Sequence, residues 1–225
     1  MSLYYQDDSV TLYHGDCLTE HREWLEADVL VTDPPYGMDY RDRKGRHEAI
    51  AGDDDTLART EVLEAWGSKP ALMFGTWRVA RPLPMKNLLI WDKGPDVGMG
   101  VSNPWGLSHE EVYVLGDWPK PKAGGWARLG GTPSRVPSVI RVDKYNNMAT
   151  ARPDHPTPKP TALMERLIER CPVGVIADPF AGSGSTLVAA KALGRRVIGV
   201  ELEERYCEII AKRCAQDVLD IFGVA

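Results

Sequence analysis

Residues 174–201 contain the pattern that most restricts the fold of this chain: a strand, a glycine-rich turn, a helix and a second strand. The apolar runs GVIAD (174–178) and RVIGVE (196–201) predict the strands, and the stretch from about Ser185 to Leu193 predicts the helix. Two strands joined through one helix by short loops form a right-handed crossover, which belongs to a parallel sheet. The sequence therefore predicts an α/β fold.

The rest of the chain supplies the further elements that such a sheet needs. Four short apolar runs predict strands, at DVLVTD (28–33), ALMFGT (71–76), NLLIWD (87–92) and EVYVLG (111–116). Three more helices are predicted, from about Leu57 to Trp66, from Thr161 to about Arg170 and from Glu203 to about Phe222. Residues 117–159 are rich in Gly and Pro and show neither helical nor strand periodicity, so they are interpreted as an inserted loop region.

Composition excludes several classes of protein. The 225 residues suit a single domain, and 43% hydrophobic with 26% charged residues is typical of a soluble globular chain. No apolar run approaches the ~20 residues of a membrane span, and the N-terminus MSLYYQDDSV lacks the basic and apolar regions of a secretory signal. The four cysteines show no metal-binding spacing, so reduced buried thiols in a cytoplasmic protein are expected.

The charge of the chain is unevenly distributed. The net charge is −5, but residues 118–160 carry +6, which leaves −11 for the remainder. A basic, Pro/Gly-rich stretch in an acidic protein indicates either a surface that faces a polyanion or a solvated loop, and composition alone favours neither.

The stretch VTDPPYGMDY (31–40) ends a predicted strand abruptly. Pro34 and Pro35 lack backbone N–H groups and have a fixed φ, so neither a strand nor a helix continues through them. Asp33 is therefore expected at the end of a strand, with a stiff turn that holds Tyr36 beside it. Taken alone, the pattern is also compatible with an ordinary strand-ending turn.

The glycine-rich turn ADPFAGSGSTLVAA (177–190) follows a strand and begins a helix. Gly182 and Gly184 allow a ligand to approach the backbone closely, but Leu187 occupies the place of the third glycine of a dinucleotide site. Glu201 ends the next strand, nineteen residues after Gly182. A carboxylate at this place can accept hydrogen bonds from both hydroxyls of a ribose, although a surface glutamate at a helix start has the same pattern. In an open parallel sheet, this site and the Asp33 turn would lie along the same carboxyl edge.

Three motifs together resemble those of the amino-methylating DNA methyltransferases, which methylate adenine N6 or cytosine N4. They are DPPYG at Asp33–Gly37, HPTPKP at His155–Pro160 and DPFAGSGST at Asp178–Thr186. Their order, with DPPY before the glycine turn, is similar to that of the permuted β group of the family. The resemblance covers most of the chain and implies a Rossmann-like methyltransferase fold, a mostly parallel sheet with helices on both faces. It also makes residues 1–225 one methyltransferase domain, in which residues 117–154 are a short inserted target-recognition region.

The resemblance implies S-adenosylmethionine as cofactor and assigns residues to three sites. The catalytic residues are Asp33, Pro34, Pro35 and Tyr36. The cofactor-binding residues are Asp16, Cys17, Thr157, Lys159, Asp178, Phe180, Ala181, Gly182, Ser183, Gly184, Ser185, Thr186, Glu201 and Leu202. The residues expected to contact DNA phosphates are Lys120, Lys122, Arg128, Arg135, Arg141 and Lys144. Trp118, Trp126 and Tyr145 are candidates for stacking on bases, and local packing under the loop is the slightly favoured explanation for each of them.

Double-stranded DNA is the expected partner, and no association with a membrane is expected. A homodimer and a cognate restriction endonuclease are further candidate partners. Within the proposed cofactor site, Asp16 would contact the adenine ring, and Lys159 and Thr157 would hold the carboxylate of the methionine part. No metal site is predicted, because a methyl group on a sulfonium needs neither a metal nor a covalent nucleophile.

An aspartate followed by two prolines suits methyl transfer to an exocyclic amine. The nitrogen lone pair is delocalised into the ring, and acceptors for its two N–H groups favour a tetrahedral nitrogen. Asp33 supplies a carboxylate and Pro34 a backbone carbonyl, while Tyr36 can stack on the base. The prolines would hold these groups rigidly, and the base must leave the duplex to reach them.

The motifs bear differently on four other activities: cytosine-N4 methylation, cytosine-C5 methylation, oxidoreduction and DNA binding without catalysis. Adenine N6 is the favoured target, because cytosine-N4 members of the family more often begin the motif with serine. Cytosine-C5 chemistry needs a cysteine nucleophile that usually follows a proline, and no cysteine in this chain does. A nucleotide-binding oxidoreductase would leave DPPY unexplained, and a non-catalytic DNA-binding module would leave the glycine turn unexplained.

Overall fold

The computed structural model of the chain describes residues 2–37, 56–94, 105–120, 136–143 and 158–220. They form one mixed sheet of nine strands, four α-helices and a short 3₁₀ helix (Glu23–Glu26). The strands are β1 (Ser2–Gln6), β2 (Val10–His14), β3 (Val29–Thr32), β4 (Ala71–Gly75), β5 (Met85–Asp92), β6 (His109–Leu115), β7 (Val139–Arg141), β8 (Ile176–Asp178) and β9 (Val197–Glu201). The helices are α1 (Leu57–Trp66), α2 (Thr161–Ile168), α3 (Ser185–Ala192) and α4 (Glu204–Asp220).

The middle of the sheet is parallel. The strand order is β1-β2-β9-β8-β3-β4-β6-β5-β7, and the five strands from β2 to β4 in this order all run in the same direction. β6 is antiparallel to β4 and β5, and β1 is antiparallel to β2. The carboxyl ends of the five parallel strands therefore meet at one edge, where ligands bind in open α/β sheets. The predicted α/β fold with a mostly parallel sheet is confirmed.

Helices cover both faces of this sheet. Alternate residues of a strand point to opposite faces, and in β4 Leu72 and Phe74 belong to one core cluster whereas Met73 belongs to another. The cluster of Leu72 includes buried side chains of α2, α3 and α4. The cluster of Met73 includes Trp24 of the 3₁₀ helix and Trp66 of α1, whose rings stack with centroids 5.8 Å apart. Since the central strands are buried on both faces, their sequences are continuous apolar runs rather than alternating ones.

The ends of the predicted elements agree with the structure to within a few residues. Three strands of the structure, β1, β2 and β7, were not predicted. No strand was predicted for β1 or β2, although the stretch SVTLYH is rich in β-branched and aromatic residues. The prediction that residues 117–159 contain no regular structure is wrong for β7, which pairs in parallel with β5. β7 lies at the edge of the sheet and Val139 is exposed, so its three residues show no buried-face pattern.

The structure bears on two expectations that were drawn from the composition, one about the cysteines and one about membrane-spanning helices. All four cysteines are buried and free, which confirms the expectation of buried thiols. Within the described ranges, no helix is both long enough and apolar enough to cross a membrane. The division into a single domain with a recognition insert at 117–154 stays a prediction, because residues 121–135 and 144–157 lie outside the described ranges.

Candidate active site

A cavity of about 600 Å³ lies at the carboxyl edge of the parallel strands. Asp33 follows β3 directly, Glu201 is the last residue of β9, and Asp16 comes shortly after β2. All three line the cavity. The proline-stiffened turn and the glycine-rich turn therefore face one common space, because parallel strands deliver their ends to the same edge.

The Asp33 carboxylate has a side-chain donor on each oxygen. The Tyr36 hydroxyl donates to Oδ1, and the Lys159 ammonium donates to Oδ2. Pro34 and Pro35 fix the backbone between the carboxylate and the aromatic ring. The turn thus places an acceptor and a ring together on the wall of the cavity.

Lys159 also approaches a second carboxylate, that of Glu110 in β6. The Lys159 Nζ lies 3.3 Å from Glu110 Oε2, and the Lys93 ammonium donates to Glu110 Oε1. Burial alone would lower the pKa of Lys159, but Asp33 and Glu110 raise it well above its ordinary value. Lys159 is therefore a cation in this site.

The two carboxylates beside Lys159 respond differently to their surroundings. Burial raises the pKa of Asp33, the Lys159 ammonium opposes this rise, and the Glu110 carboxylate adds to it. Burial also acts to raise the pKa of Glu110, but Lys159 and Lys93 together lower it below its ordinary value. Glu110 is consequently the more firmly ionised of the two, because it has two cations as neighbours and Asp33 has one.

Glu201 lines the same cavity two strands away from Asp33, beside the glycine turn. Its Oε2 accepts a hydrogen bond from the Gly182 N–H (2.6 Å), and its Oε1 accepts one from the Glu203 N–H (2.9 Å). Burial raises the pKa of Glu201 to about 7, although both hydrogen bonds act to lower it. Each oxygen retains a second lone pair for a further donor.

Asp178 stabilises the scaffold behind the turn. Its Oδ1 accepts hydrogen bonds from the Thr32 hydroxyl (2.7 Å) and from the Phe180 N–H (3.2 Å), so it links the ends of β8 and β3. Burial raises the pKa of Asp178 to about 7. Asp178 is not among the described residues that line the cavity, whereas Phe180 is.

The two glycines of the turn have different surroundings. Gly182 lines the cavity. Gly184 has a φ of +80°, and a Cβ built on it would lie 2.7 Å from Ile210 Cγ1 of α4. The structure therefore requires glycine at 184 for the backbone conformation and for packing against α4, a reason that the motif alone did not indicate.

Comparisons with known proteins agree with this geometry. A family model described as DNA methylase, for the N6/N4 methyltransferases, matches residues 102–212. The protein described as "Putative methylase YubD" of Escherichia coli (strain K12) is 37% identical over 211 residues, which cover 85% of this chain and 84% of that protein. The chain belongs to the N6/N4 DNA methylase family.

Further relatives and structures are similar to this methylase over nearly its whole length. Type II methyltransferase M.ScaI of Streptomyces caespitosus is 29% identical over 265 residues, covering 97% of this chain and 86% of that protein. The PvuII DNA methyltransferase, which is cytosine-N4-specific, has a TM-score of 0.61 at 16% identity and covers 97% of this chain and 93% of its own. The M1.HpyAVI–SAM complex has a TM-score of 0.58 at 21% identity, and the match covers 91% of this chain and 99% of the chain in that complex. These two structures confirm the Rossmann-like methyltransferase fold.

Most of the predicted site residues of the methylase line the one cavity. From the catalytic and cofactor-binding sets these are Asp16, Cys17, Asp33, Pro34, Pro35, Tyr36, Lys159, Phe180, Ala181, Gly182, Ser183, Ser185, Thr186, Glu201 and Leu202. Thr157 lies outside the described residues. Lys159 is brought to Asp33, which sequence reasoning did not foresee, and its predicted contact with the cofactor stays a prediction.

The structure also brings residues to the cavity that sequence reasoning missed. They are Thr76, Trp77 and Arg78 after β4, Lys93 after β5, His109, Glu110 and Glu111 in β6, and Tyr206 in α4. The acidic pair at Glu110 and Glu111 could have been noticed in the sequence, because two carboxylates directly precede the apolar residues 112–115 of the same strand. Glu111 accepts hydrogen bonds from Arg81 (2.5 and 3.0 Å) and from the Tyr113 hydroxyl (2.9 Å), so it is paired apart from Lys159.

Only part of the predicted DNA-contacting region is described. Lys120 is exposed, and the Arg141 guanidinium lies 3.6 Å from Asp92 and 3.9 Å from Asp143. Trp118 packs against the core and donates its Nε1–H to the Leu115 carbonyl (2.8 Å), which favours local packing over base stacking for this residue. The remaining predicted residues lie outside the described ranges: Lys122, Trp126, Arg128, Arg135, Lys144 and Tyr145.

Proposed function

We propose that this DNA methylase transfers a methyl group from S-adenosylmethionine to the exocyclic N6 amine of adenine in double-stranded DNA. The observation that carries the proposal is the shared cavity, which is lined both by the Asp33–Tyr36 turn and by Glu201, two strands away in the sheet. An amine acceptor and a candidate ribose acceptor in one space are what a reaction between a base and a nucleoside cofactor requires.

The residues at the Glu201 end fit the cofactor. Glu201 can accept ribose hydroxyls on the second lone pairs of its oxygens, and Phe180, Gly182 and Asp16 line the space around it. The charge of Glu201 is available near neutral pH, since its pKa is about 7. When bound, the cofactor supplies a methyl group that is already activated on a sulfonium.

The residues at the Asp33 end orient and polarise the target amine. The Asp33 carboxylate and the Pro34 carbonyl accept its two N–H groups, which makes the nitrogen lone pair more available for attack. The Tyr36 ring provides an apolar face for the base, and its hydroxyl holds Asp33 in place. The target base leaves the duplex to enter this space, because the amine of a paired base is inaccessible to a buried carboxylate.

Aspartate at position 33 supports adenine rather than cytosine, since serine more often begins this motif in cytosine-N4 enzymes. Duplex DNA is the proposed partner, and the buried free thiols support a cytoplasmic location. A homodimer and a restriction endonuclease stay predictions.

The experiment that tests the proposal identifies the product. The protein is incubated with isotopically labelled S-adenosylmethionine and unmethylated duplex DNA, and the digested nucleosides are separated by mass spectrometry. Labelled N6-methyladenine is expected, and Asp33→Ala serves as the inactive control. Labelled N4-methylcytosine would overturn the target base alone, whereas the absence of any labelled nucleoside across varied DNA sequences would overturn the proposed function.

A further inference from the structure

Four charged side chains form a continuous row behind the target amine site. In order of contact they are Lys93, Glu110, Lys159 and Asp33, which we call the charge row. The Lys159 side chain is 8% exposed, and the other three side chains are partly exposed, at 19% for Lys93, 22% for Glu110 and 26% for Asp33. The signs alternate along the row, so each inner member has an opposite charge on both sides.

Lys159 is shared between two carboxylates that have different tasks. An ammonium ion that donates to Asp33 withdraws negative charge from it, which makes Asp33 a weaker acceptor for the target amine. Glu110 offers the same ammonium a second carboxylate, 3.3 Å from Nζ, and Lys93 on its far side keeps Glu110 ionised. The more strongly Glu110 attracts Lys159, the more of its negative charge Asp33 retains.

We propose that Glu110 and Lys159 are positioning residues, in which Glu110 competes with Asp33 for the Lys159 ammonium and so keeps Asp33 available to accept the target amine. The inference rests on the proposed function, and it assigns to Lys159 a task different from holding the carboxylate of the cofactor. Tyr36 completes the arrangement, because its hydroxyl anchors the other oxygen of Asp33 while the ammonium is shared.

The first test is Glu110→Gln, which removes the competing charge and keeps the shape of the side chain. Lys159 then pairs with Asp33 alone, so we expect kcat to fall about tenfold and the acidic limb of the kcat/KM profile to move down by about one pH unit. Affinity for the demethylated cofactor product, measured by calorimetry, should stay unchanged. Glu111→Gln is the matched control, since it removes the neighbouring carboxylate of the same strand, which pairs with Arg81 instead of Lys159.

The second test is Lys159→Met, for which the expected shift has the opposite sign. Without the ammonium, the partly buried Asp33 carboxyl holds its proton more tightly, so the acidic limb should move up by about one pH unit or more. Lys159→Arg retains the cation and should leave the limb near its position in the parent protein. In the double variant Glu110→Gln, Lys159→Met there is no ammonium for Glu110 to attract, so the limb should stay near its position in Lys159→Met. Independent effects of the two charges would instead add and return the limb towards its position in the parent protein.

The outcomes separate this inference from the proposed function. Opposite shifts in the two single variants, with thermal unfolding that matches the Glu111→Gln control, support it. Unshifted limbs, shifts of the same sign, or a loss of cofactor affinity in Lys159→Met as the main effect would overturn it and leave methyl transfer intact. A parent protein that transfers no methyl group would overturn the proposed function and this inference together.

Discussion

At the scale of single residues, the two oxygens of Asp33 accept hydrogen bonds from one residue nearby in the sequence and from one distant in the sequence. Tyr36 is three residues away and is held by the Pro34–Pro35 turn, whereas Lys159 is 126 residues away and arrives just before α2. The local turn therefore supplies the aromatic ring, and the fold supplies the charge. The acceptor strength of Asp33 depends on both.

Replacing Asp33 should separate chemistry from cofactor binding. Asp33→Ala removes the acceptor for the target amine, so we expect methyl transfer to fall at least about a hundredfold. Cofactor affinity should stay within a few-fold, because Glu201, the proposed ribose acceptor, lies two strands away from Asp33. Glu110 remains beside Lys159 in this variant, so the buried ammonium keeps a partner. Near-normal turnover would contradict the mechanism, and Asp33→Asn tests whether one neutral acceptor is enough.

Replacing Glu201 should have the reverse effect. Glu201→Ala is expected to weaken binding of the demethylated cofactor product by roughly 1–3 kcal/mol, through loss of charge-assisted bonds to the ribose. Calorimetric titration measures this directly, with the exposed Glu204→Ala as the matched control. In the parent protein the affinity should also decline as pH falls below about 7, because Glu201 then becomes protonated. Unchanged affinity would show that Glu201 only orders the turn through Gly182 and Glu203.

At the scale of elements, the region between β6 and α2 contains the DNA-contacting residues that were predicted from charge. Its described part includes the exposed Lys120 and the edge strand β7. Arg141 at the end of β7 has carboxylates of Asp92 and Asp143 within 4 Å, so part of its charge is already neutralised. Of the two predicted residues that the structure describes, Lys120 is therefore the better candidate for a phosphate contact.

The salt dependence of DNA binding tests the basic region. Each phosphate contact contributes about −0.9 to the slope of log K against log salt concentration, so four to six contacts predict a slope of roughly −4 to −5. Replacing Lys120 and Lys122 together with alanine should reduce the slope by up to about 2. Lys212→Ala is the control, since it removes an exposed lysine that pairs with Glu208 on α4. A nearly flat dependence in the parent protein would indicate that the region is a solvated loop and that DNA binds elsewhere.

At the scale of the whole molecule, the parallel strands collect buried carboxylates at one edge of the sheet. Asp178 and Glu201 are 3% and 8% exposed, and neither has a cation among the partners that set its pKa. Burial without a counter-ion disfavours the charged form. The edge that is proposed to bind the cofactor is therefore electrostatically costly in the free protein.

This cost predicts how stability depends on pH. The pKa values of Asp178 and Glu201 are raised to about 7 from 3.8 and 4.5, so the folded state binds more protons than the unfolded state between these values. The free energy of unfolding should therefore decrease as pH rises from about 4.5 to about 7. Asp7, whose pKa is lowered to about 2, changes the free energy of unfolding only below this pH range.

Urea denaturation at several pH values between 4.5 and 8 measures the effect. Asp178→Asn should flatten the curve, because the amide oxygen still accepts from Thr32 and Phe180 but no longer titrates. Stability that instead rises across this window would show that the two carboxyls are ionised throughout.

The sequence by itself determined the elements and motifs that depend on neighbouring residues. The crossover at 174–201, helix α1 and the stiff turn at Asp33–Tyr36 follow from local apolar patterns and from the fixed φ of proline. Strands β1, β2 and β7 were not predicted, since short strands at or near a sheet edge are specified by pairing with partners distant in sequence.

Only the tertiary structure decided how the charges around the site are paired. Lys159 lies between Asp33 and Glu110 because β3, β6 and the segment before α2 converge at one edge of the sheet. Gly184 likewise owes its identity to Ile210, a contact with a helix that begins twenty residues later. A motif records which residues stand next to each other along the chain, whereas electrostatic coupling depends on distances in space that the sheet order sets.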